Sequence, residues 1–369
     1  MRKPGRRLGW TIGLVGLLIA AYLLLWPVPI QPRPWEAPPN PGYAGPFARN
    51  HRLEGVETLP IGDHRGPEDP ALDAQGRIYV PTHEGHIVRL DADGTNPEVF
   101  AETGGRPLGI DFDGEGHLIV ADAFRGLLSI SPRGEVRVLA DEADGVPIVY
   151  ADDVGVAPDG KMYFSDASTK FSAAAVGDTL EASKLEITEH GGTGRLLVYD
   201  PATKKASTVL DGVSFANGVA VSPDGEFVLL NETGSYRVLK VWITGPRRGA
   251  AEFLVDELPG FPDNVSVGRD GRFWVALVSP RNDLLDAMSD QPLVRKAVQR
   301  LPGFLRPDAS HYGHVIAIDA EGNIVANLQD PDGGYPLITA VTETDEHLYL
   351  GSLVAPHLAR IPKAKVGLQ

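Results

Sequence analysis

Cysteine is absent from the 369-residue sequence. Without thiols the chain forms no disulfide bonds, offers no thiolate to a zinc ion and cannot use a cysteine nucleophile. Basic residues are also scarce, since 34 lysines and arginines face 49 aspartates and glutamates and the formal net charge is −15. A protein this acidic repels nucleic acid and anionic lipid surfaces, so we expect neither as its main partner.

Glycine and proline, in contrast, are abundant. The sequence has 42 glycines and 31 prolines, interspersed with short β-branched runs. This composition is typical of many short strands joined by tight turns. With 43% hydrophobic residues, the chain also has enough apolar side chains for a substantial core. The composition therefore predicts an all-β protein rather than a helical bundle.

One long uncharged run, LGWTIGLVGLLIAAYLLLW, spans residues 8–26 and follows a basic segment. As a helix it would rise about 28 Å, close to the hydrocarbon thickness of a bilayer. We predict a basic cytoplasmic tail (1–7), a transmembrane helix (8–26) and a proline-rich, extended spacer (27–48). The remainder (49–369) is then extracytoplasmic, either periplasmic or lumenal. The alternative is a cleaved signal peptide, which would make the protein secreted.

A unit of an apolar strand, a polar turn and a second strand recurs six times, and most copies are followed by two more strands. This repetition predicts a six-bladed β-propeller, in which four-stranded blades surround a central channel. A β-sandwich is the rival fold, but it does not explain six units with the same internal order. The copies are PALDAQGRIYV, GIDFDGEGHLIV, VGVAPDGKMYF, VAVSPDGEFVLL, VSVGRDGRFWV and AVTETDEHLYL.

The spacing of the units is regular except after the third and the fifth. The second strands begin near residues 77, 117, 161, 227, 272 and 347. The two wide intervals predict insertions at about 168–193 and 279–312. Long insertions between regular strands often act as lids, so we expect them to cover one mouth of the channel. Segment 51–61 is expected to pair with the last blade and to close the ring, which removes a free edge.

One position of each unit is expected to face the channel, because the innermost strand of every blade lines it. It lies eight residues before the turn glycine, or before Glu346 in unit six. Four of the six positions carry side-chain oxygens, and Asn264 adds a fifth candidate. Such a set predicts a hard divalent cation, calcium before magnesium or manganese. The alternative is that these side chains satisfy turn amides. The six positions are Glu68, Leu108, Asp152, Asn217, Asp263 and Ile338.

Several long segments resemble the strictosidine synthase-like family, in its adipocyte plasma membrane-associated protein-like branch. The resemblance covers roughly residues 50–362 and extends more distantly to gluconolactonases, paraoxonases and diisopropylfluorophosphatase. It implies a six-bladed propeller with an axial catalytic calcium and hydrolysis of lactones, aryl esters or phosphotriesters. The segments are GPEDPALD, YADDVGVAPDGKMYFSDASTKF, GRLLVYDPATKKASTVLDGVSFANGVAVSPDGEFVLLNETGSYRV and PGFPDNVSVGRDGRFWVAL.

The resemblance also implies site residues. Asp152 stands where the family usually has asparagine, and the extra carboxylate should bind the cation more tightly but make it a poorer Lewis acid. The paraoxonase pattern implies a second, structural calcium at Asp69 and Asp153 with the Ile110 carbonyl. The implied catalytic-calcium ligands are the channel-facing set: Glu68, Asp152, Asn217, Asp263 and Asn264.

Two departures from the family patterns bear on activity. Paraoxonases carry histidines where this chain has Leu108 and Asp122, so a paraoxonase-type histidine dyad is not expected. The glutamate that strictosidine synthase uses aligns with Ala340 or a neighbour. A strictosidine-type condensation is therefore not expected either.

Together these features predict a calcium-dependent hydrolase of lactones or aryl esters, in which the metal polarises the scissile carbonyl. Asp263 is the candidate general base or nucleophile, because the equivalent aspartate is thought to act in this way in diisopropylfluorophosphatase and gluconolactonase-type enzymes. The expected partners are a small-molecule ester or lactone and, through the N-terminal anchor, the membrane. The alternatives are a calcium-stabilised, non-catalytic binding scaffold and a propeller that binds peptides or glycans through its loops.

Overall fold

The computed structural model describes residues 4–368, with side chains from Trp10 onward. Within this range the strands form six four-stranded sheets and one two-stranded hairpin. The first strands of neighbouring blades contact one another, which places them around a common axis. The fold is the predicted six-bladed β-propeller.

Strand β1 (Glu57–Pro60) is the first strand in the chain and lies before blade one. Blade one contains β2–β5, at Ala71–Leu72, Ile78–Pro81, His86–Leu90 and Glu98–Glu102. Blade two contains β6–β9, at Pro107–Phe112, Leu118–Asp122, Gly126–Ile130 and Val136–Ala140. The hairpin is β10–β11, at Glu142–Ala143 and Val146–Pro147. Blade three contains β12–β15, at Ala151–Val156, Met162–Asp166, Gly194–Asp200 and Lys205–Val213.

The remaining blades follow in order. Blade four contains β16–β19, at Ala216–Val221, Phe227–Glu232, Arg237–Trp242 and Ala251–Val255. Blade five contains β20–β23, at Gly260–Val267, Phe273–Pro280, Gly313–Ile318 and Ile324–Asp330. Blade six contains β24–β26, at Ile338–Glu343, His347–Ser352 and His357–Pro362, and takes its fourth strand from β1.

Strand β1 closes the ring, as the sequence predicts for segment 51–61. It pairs antiparallel with β26, with Glu57 opposite Arg360. The Arg360 guanidinium donates two hydrogen bonds to the Glu57 carboxylate, at 2.8 and 2.9 Å. The closure joins the two ends of the propeller chain, and β1 completes blade six as its outermost strand.

The inner strands are also linked to one another by polar side chains, in addition to the apolar cores between blades. The Asp69 carboxylate accepts the Ile110 N–H at 3.0 Å, which joins blades one and two. The Asp153 carboxylate accepts the Val219 N–H at 2.7 Å, which joins blades three and four. Because these groups are buried, each link satisfies a backbone donor that would otherwise have no partner.

The first insertion lies between β13 and β14, at residues 167–193, and contains α2 (Ala173–Val176) and α3 (Thr179–Glu189). The second lies between β21 and β22, at residues 281–312, and contains α4 (Asp283–Ala287) and α5 (Pro292–Gln299). Side chains cap three of these helices: Ser172, Asp178 and Asn282 accept hydrogen bonds from the first-turn N–H groups.

Residues 27–48, which we call the strap, are extended apart from a short 3-10 helix at Gly45–Phe47, and they dock on the propeller. Ile30 is buried, and the Trp35 ring stacks on His190 of the first insertion with 3.9 Å between ring centroids. Phe47 reaches a hydrophobic core shared by blades four and five. Proline accounts for the extended backbone, as predicted. The segment is docked because Ile30 and Phe47 are buried and Trp35 is partly buried against the first insertion and the core of blades four and five.

Helix α1 (Pro4–Leu25) precedes the strap and contacts α5 of the second insertion. The Tyr22 hydroxyl donates to the Arg300 carbonyl at 2.9 Å, and the Arg300 guanidinium donates to the Leu23 carbonyl at 2.9 Å. Across the described part of the chain, no helix combines the length and the apolar character required to cross a membrane. The predicted transmembrane anchor at 8–26 is therefore not supported.

Candidate metal centre

A β-bulge interrupts the inner strand of blades two to six at equivalent places. In blade three, Asp152 and Asp153 together face a single residue of β13. A bulge bends its strand and re-aims the side chains at that point, so it brings residues of different blades to one level of the channel. The other bulged pairs are Leu108/Gly109, Asn217/Gly218, Asp263/Asn264 and Thr339/Ala340.

The bulge corrects the predicted channel position of blade six. Counting back from Glu346 selects Ile338, but Ile338 pairs regularly with Ser352 and the bulge begins one residue later. Thr339 therefore occupies the place of Asp152 and Asn217. Its hydroxyl donates to the Glu68 carbonyl at 2.6 Å, which links blade six to blade one. The count missed Thr339 because the turn of unit six has no glycine to set the offset.

Glycine permits the close approach of neighbouring inner strands beside the candidate ligands. A Cβ atom on Gly218 would lie 2.4 Å from the Val265 nitrogen and 2.5 Å from the Asp263 carbonyl oxygen. Both distances are shorter than any real contact of a Cβ atom. Only glycine therefore lets the inner strands of blades four and five pack this closely, which brings Asn217 against Asp263.

The structure buries all five predicted catalytic-calcium ligands: Glu68, Asp152, Asn217, Asp263 and Asn264. The amide of Asn217 donates to the Asp263 carboxylate at 2.8 Å, so residues of two blades meet directly. Among these five residues, three buried amide atoms have no hydrogen-bond partner: Asn217 Oδ1, Asn264 Oδ1 and Asn264 Nδ2. Because buried polar atoms are normally paired, the two orphaned oxygens fit the ligands of a hard cation.

The pKa shifts of the three buried carboxyl groups also favour a bound cation. Burial, followed by repulsion from Glu68, raises the pKa of Asp152 and of Asp263 well above the ordinary value. Burial also raises the pKa of Glu68, against the effect of the nearby Arg106 guanidinium. Three carboxyl groups therefore resist ionisation together. A bound divalent cation would remove that repulsion and keep them ionised.

Arg106 is a second site residue that the sequence count did not identify. It lies two residues before Leu108, directly before the first residue of β6. Its guanidinium donates to the Glu68 carboxylate at 3.2 Å and to the Pro107 carbonyl at 2.9 Å. Blade two, which has an apolar residue at its bulge, thus contributes a positive charge to the centre. The surrounding sequence, GRPLG, did not indicate a site residue at Arg106, because counting eight residues back from the turn glycine leads to Leu108.

The residues of the predicted second calcium site also lie together. Burial raises the pKa of Asp69 to about 8, and the nearby Asp111 and Glu68 carboxyls add to the shift. Burial raises the pKa of Asp153 well above its usual value, with Asp69 as the next cause. Ile110 contacts Asp69 through its N–H. Asp69, Ile110 and Asp153 line an axial cavity of about 660 Å³ that is bounded by inner strands of all six blades. We call this end the cavity mouth.

The opposite mouth is covered by the first insertion. Leu108, Tyr150 and Phe215 from the propeller pack into one buried cluster with Ala173 and Ala182 from α2 and α3. The Tyr150 hydroxyl donates to the Thr179 carbonyl at 2.8 Å. The charges of Asp152, Glu68 and Asp263 all raise the pKa of this tyrosine, so the cluster lies close to the centre. Of the two predicted lids, the first insertion covers the centre, and we call this end the lid mouth.

Another group of potential ligands lies on the surface. In the described residues, one set of three histidine or acidic side chains has all its ligand atoms within 4.8 Å of one another, namely His51, Glu54 and Asp332. All three are exposed, and such clusters are common without a metal. The three central carboxylates are not gathered this closely, so the central site depends on the amides of Asn217 and Asn264 as additional donors.

Family comparisons agree with the repeat pattern. A family model described as strictosidine synthase matches residues 152–246, which contain Asp152 and Asn217. A second model, described as strictosidine synthase-like, N-terminal, matches residues 45–90, which contain Glu68.

Whole-chain comparisons identify relatives and structural neighbours. The adipocyte plasma membrane-associated protein of Bos taurus is 32% identical, over 95% of this chain and 88% of its own. A gluconolactonase structure from Xanthomonas campestris is 18% identical, with a TM-score of 0.61, and covers 91% of this chain and 96% of its own. The calcium-binding protein regucalcin from Agrobacterium tumefaciens is 15% identical, with a TM-score of 0.57, over 83% and 93%. At these identities the two structures establish a shared fold.

Proposed function

The chain belongs to the strictosidine synthase-like family, and on that premise we propose that it is a calcium-dependent hydrolase of lactones or aryl esters. The observation that carries the proposal is the pair of orphaned amide oxygens, on Asn217 and Asn264, among three buried carboxylates. Oxygen donors alone, in a partly enclosed axial site, are the ligand set of calcium rather than of zinc or copper.

The names of the structural neighbours also support a calcium-dependent lactone hydrolase. Gluconolactonase acts on a lactone and regucalcin binds calcium according to their descriptions, and both share this fold. A fold hosts many activities, so the proposal depends on the residues of this chain. The residues that would hold the ion are Glu68, Asp152, Asn217, Asp263 and Asn264.

A bound calcium ion would supply Lewis acidity, which polarises a carbonyl oxygen and stabilises the negative charge that develops on it. We assign the proton transfer or nucleophilic attack to Asp263. One of its oxygens accepts the Asn217 amide, so the carboxylate is held in a fixed orientation. The Asn231 amide donates to the Asp263 carbonyl at 2.6 Å and fixes the backbone of the same residue.

The test is hydrolysis of simple lactones and of phenyl acetate, with calcium and with a chelator. We expect turnover that chelation abolishes and that calcium, but not magnesium, restores fully. The Asp263→Asn variant should lose about 100-fold or more of the rate, as is typical for a group that transfers protons. The exposed Asp270→Asn variant from the same blade is the control and should match the wild type. A rate that survives both chelation and Asp263→Asn contradicts the proposal.

A non-catalytic, calcium-stabilised scaffold is the second candidate, and the closure of the lid mouth favours it. Leu108, Tyr150 and Phe215 seal that side of the centre against the first insertion. A scaffold predicts stoichiometric calcium binding together with no turnover on a broad panel of esters and lactones. The hydrolase predicts both binding and turnover, so the two measurements separate the candidates.

A further inference from the structure

The second insertion exposes large apolar side chains that the propeller leaves uncovered. Phe304 is 86% exposed and Leu305 is 52% exposed, in a short 3-10 helix (Gly303–Leu305) that follows α5. Leu293, at the start of α5, is 78% exposed. A single exposed apolar side chain is ordinary on a protein surface, but several of this size on one insertion indicate a contact surface.

The end of α1 extends this apolar surface. The Arg300 guanidinium donates to the Leu23 carbonyl at 2.9 Å and also to the Trp26 carbonyl, so the end of α1 is held only four residues before Phe304. Residues 24–26 are each at least 61% exposed. We use the name apolar patch for the exposed side chains that meet here, which are Leu24, Leu25, Trp26, Phe304 and Leu305.

The exposure of α1 indicates what kind of partner covers the patch. Every residue from Trp10 to Ala20 is exposed, and seven of these eleven are large and apolar. Because successive residues of a helix are about 100° apart, an unbroken exposed run covers all sides of the helix. A folded protein or a second copy of this chain would cover one side of such a helix. Lipid acyl chains can cover all sides, so the structure favours a lipid surface.

The local charge also fits a lipid surface. Segment 291–306, between Asp290 and Asp308, has four basic residues and no acidic residue, although the whole chain has a net charge of −15. Salt screens the more distant acidic groups beyond about 10 Å, so the local charge prevails at a contact. Basic groups beside exposed aromatic rings can bind lipid phosphates while the rings enter the interface. The partly exposed basic residues are Lys296, Arg300 and Arg306.

The patch lies at the same end of the propeller as the lid. Both insertions connect the second and third strands of their blades, and equivalent connections leave a propeller at the same mouth. The Lys184 ammonium of α3 also lies 3.5 Å from the Asp308 carboxylate of the second insertion. A surface that binds the patch therefore faces the lid mouth, and the cavity mouth points away from it.

We propose that the apolar patch docks on a lipid surface and turns the lid mouth toward it. Trp26, Phe304 and Leu305 enter the boundary between head groups and acyl chains, as the apolar side of an interfacial segment does. The basic residues of segment 291–306 contact the phosphates. This contact requires neither a membrane-crossing helix nor the proposed hydrolase activity.

The experiment uses the absence of cysteine from the chain, because an introduced cysteine is then the single site for a fluorescent label. The full chain with Phe304→Cys carries an environment-sensitive dye and is mixed with vesicles of phosphatidylcholine with a minor fraction of phosphatidylglycerol. We expect a blue shift of the emission and at least about twofold quenching when the acyl chains are brominated, since the label enters the interface. Leu305→Asp in the same labelled chain should reduce the quenching by about half or more, because it places a charge in the patch.

Val325→Cys is the matched control. Val325 is 53% exposed in the same blade, but it lies at the start of β23, where the strand order places the opposite mouth. Its label should show neither shift nor quenching, and both labelled chains should melt as the wild type does, because both sites are exposed. Three results would each overturn the proposal: no shift at position 304, equal quenching at 304 and 325, or quenching unaffected by Leu305→Asp. A blue shift without vesicles that grows with protein concentration would also overturn it, in favour of a second copy.

Discussion

At the scale of single residues, Asn217 shows how a buried amide can indicate a metal. Its nitrogen donates to Asp263, while its oxygen lies buried with no hydrogen-bond partner. The donor therefore holds a carboxylate in place, and the acceptor is left for a ligand that the protein does not supply. A residue that only completed a turn would have both atoms satisfied by nearby backbone.

We predict that Asn217→Leu weakens calcium binding at least tenfold, because it removes one oxygen ligand and the donor that orients Asp263. Isothermal titration with calcium measures the effect. The variant Asn323→Leu is the control, since Asn323 lies in a turn of blade five and bonds to Asp319. It should bind calcium as the wild type does. Unchanged affinity in Asn217→Leu would show that the amide is not a ligand.

Some residues of the metal centre could be predicted from the sequence and others could not. Asp152, Asn217 and Asp263 repeat at one offset from a turn glycine, so counting finds them. Thr339 was missed because unit six lacks that glycine. Arg106 was missed because it lies outside the repeated offset, and nothing in the sequence indicates that an arginine just before a strand points to the centre rather than to solvent.

At the scale of elements, the bulge is the feature that makes the site. Strand periodicity predicts which residues alternate between faces, but a bulge changes that alternation locally. It allows Asp263 and Asn264, which are adjacent in sequence, to face a single residue of β21. The repeats predict the strands at these positions but not the bulges. A bulge depends on how closely the neighbouring blade approaches.

Gly218→Ala tests that close approach. The new Cβ would meet the Val265 nitrogen at 2.4 Å, so the inner strands of blades four and five must separate. We expect a loss of about 2 kcal/mol or more in the free energy of unfolding, together with weaker calcium binding. Gly114→Ala is the control, because a Cβ there has no neighbour within 4 Å and its backbone needs no positive φ. Equal stability of the two variants would contradict the packing argument.

The strap and the two insertions are joined by one buried side chain. The Arg295 guanidinium of α5 donates to the carbonyls of Thr188 and Glu189 in the first insertion, to Ser289 in the second and to Arg33 in the strap. Proline content predicted an extended strap, but composition carries no information about this docking, which depends on residues far away in the chain.

We predict that Arg295→Met lowers the free energy of unfolding by about 3 kcal/mol, because it leaves several buried carbonyls without donors. Chemical denaturation measures the change. Hydrogen exchange should also increase in α3 and in residues 27–48. Lys296→Met, at the next position and less buried, is the control and should change stability by at most about 0.5 kcal/mol. If exchange increases only in α5, then Arg295 does not join these segments.

At the scale of the whole molecule, the propeller arranges its polar groups along one axis. The lid mouth is sealed by an apolar cluster, the centre holds carboxylates, amides and one guanidinium, and a second carboxylate group lines the cavity mouth. The six-fold repetition was readable from the sequence because each blade is built from neighbouring residues. The sealing of one mouth was not, because it depends on where the first insertion folds back.

Calcium titration of the chelated, purified protein, followed by calorimetry and thermal melting, tests the central claim most directly. The claim is that side chains from several blades meet at the axis to hold a divalent ion. It predicts stoichiometric calcium binding and a melting temperature that rises with calcium concentration, because an ion that binds only the folded state stabilises it. Absence of binding, with a melting temperature unchanged by calcium, would contradict it.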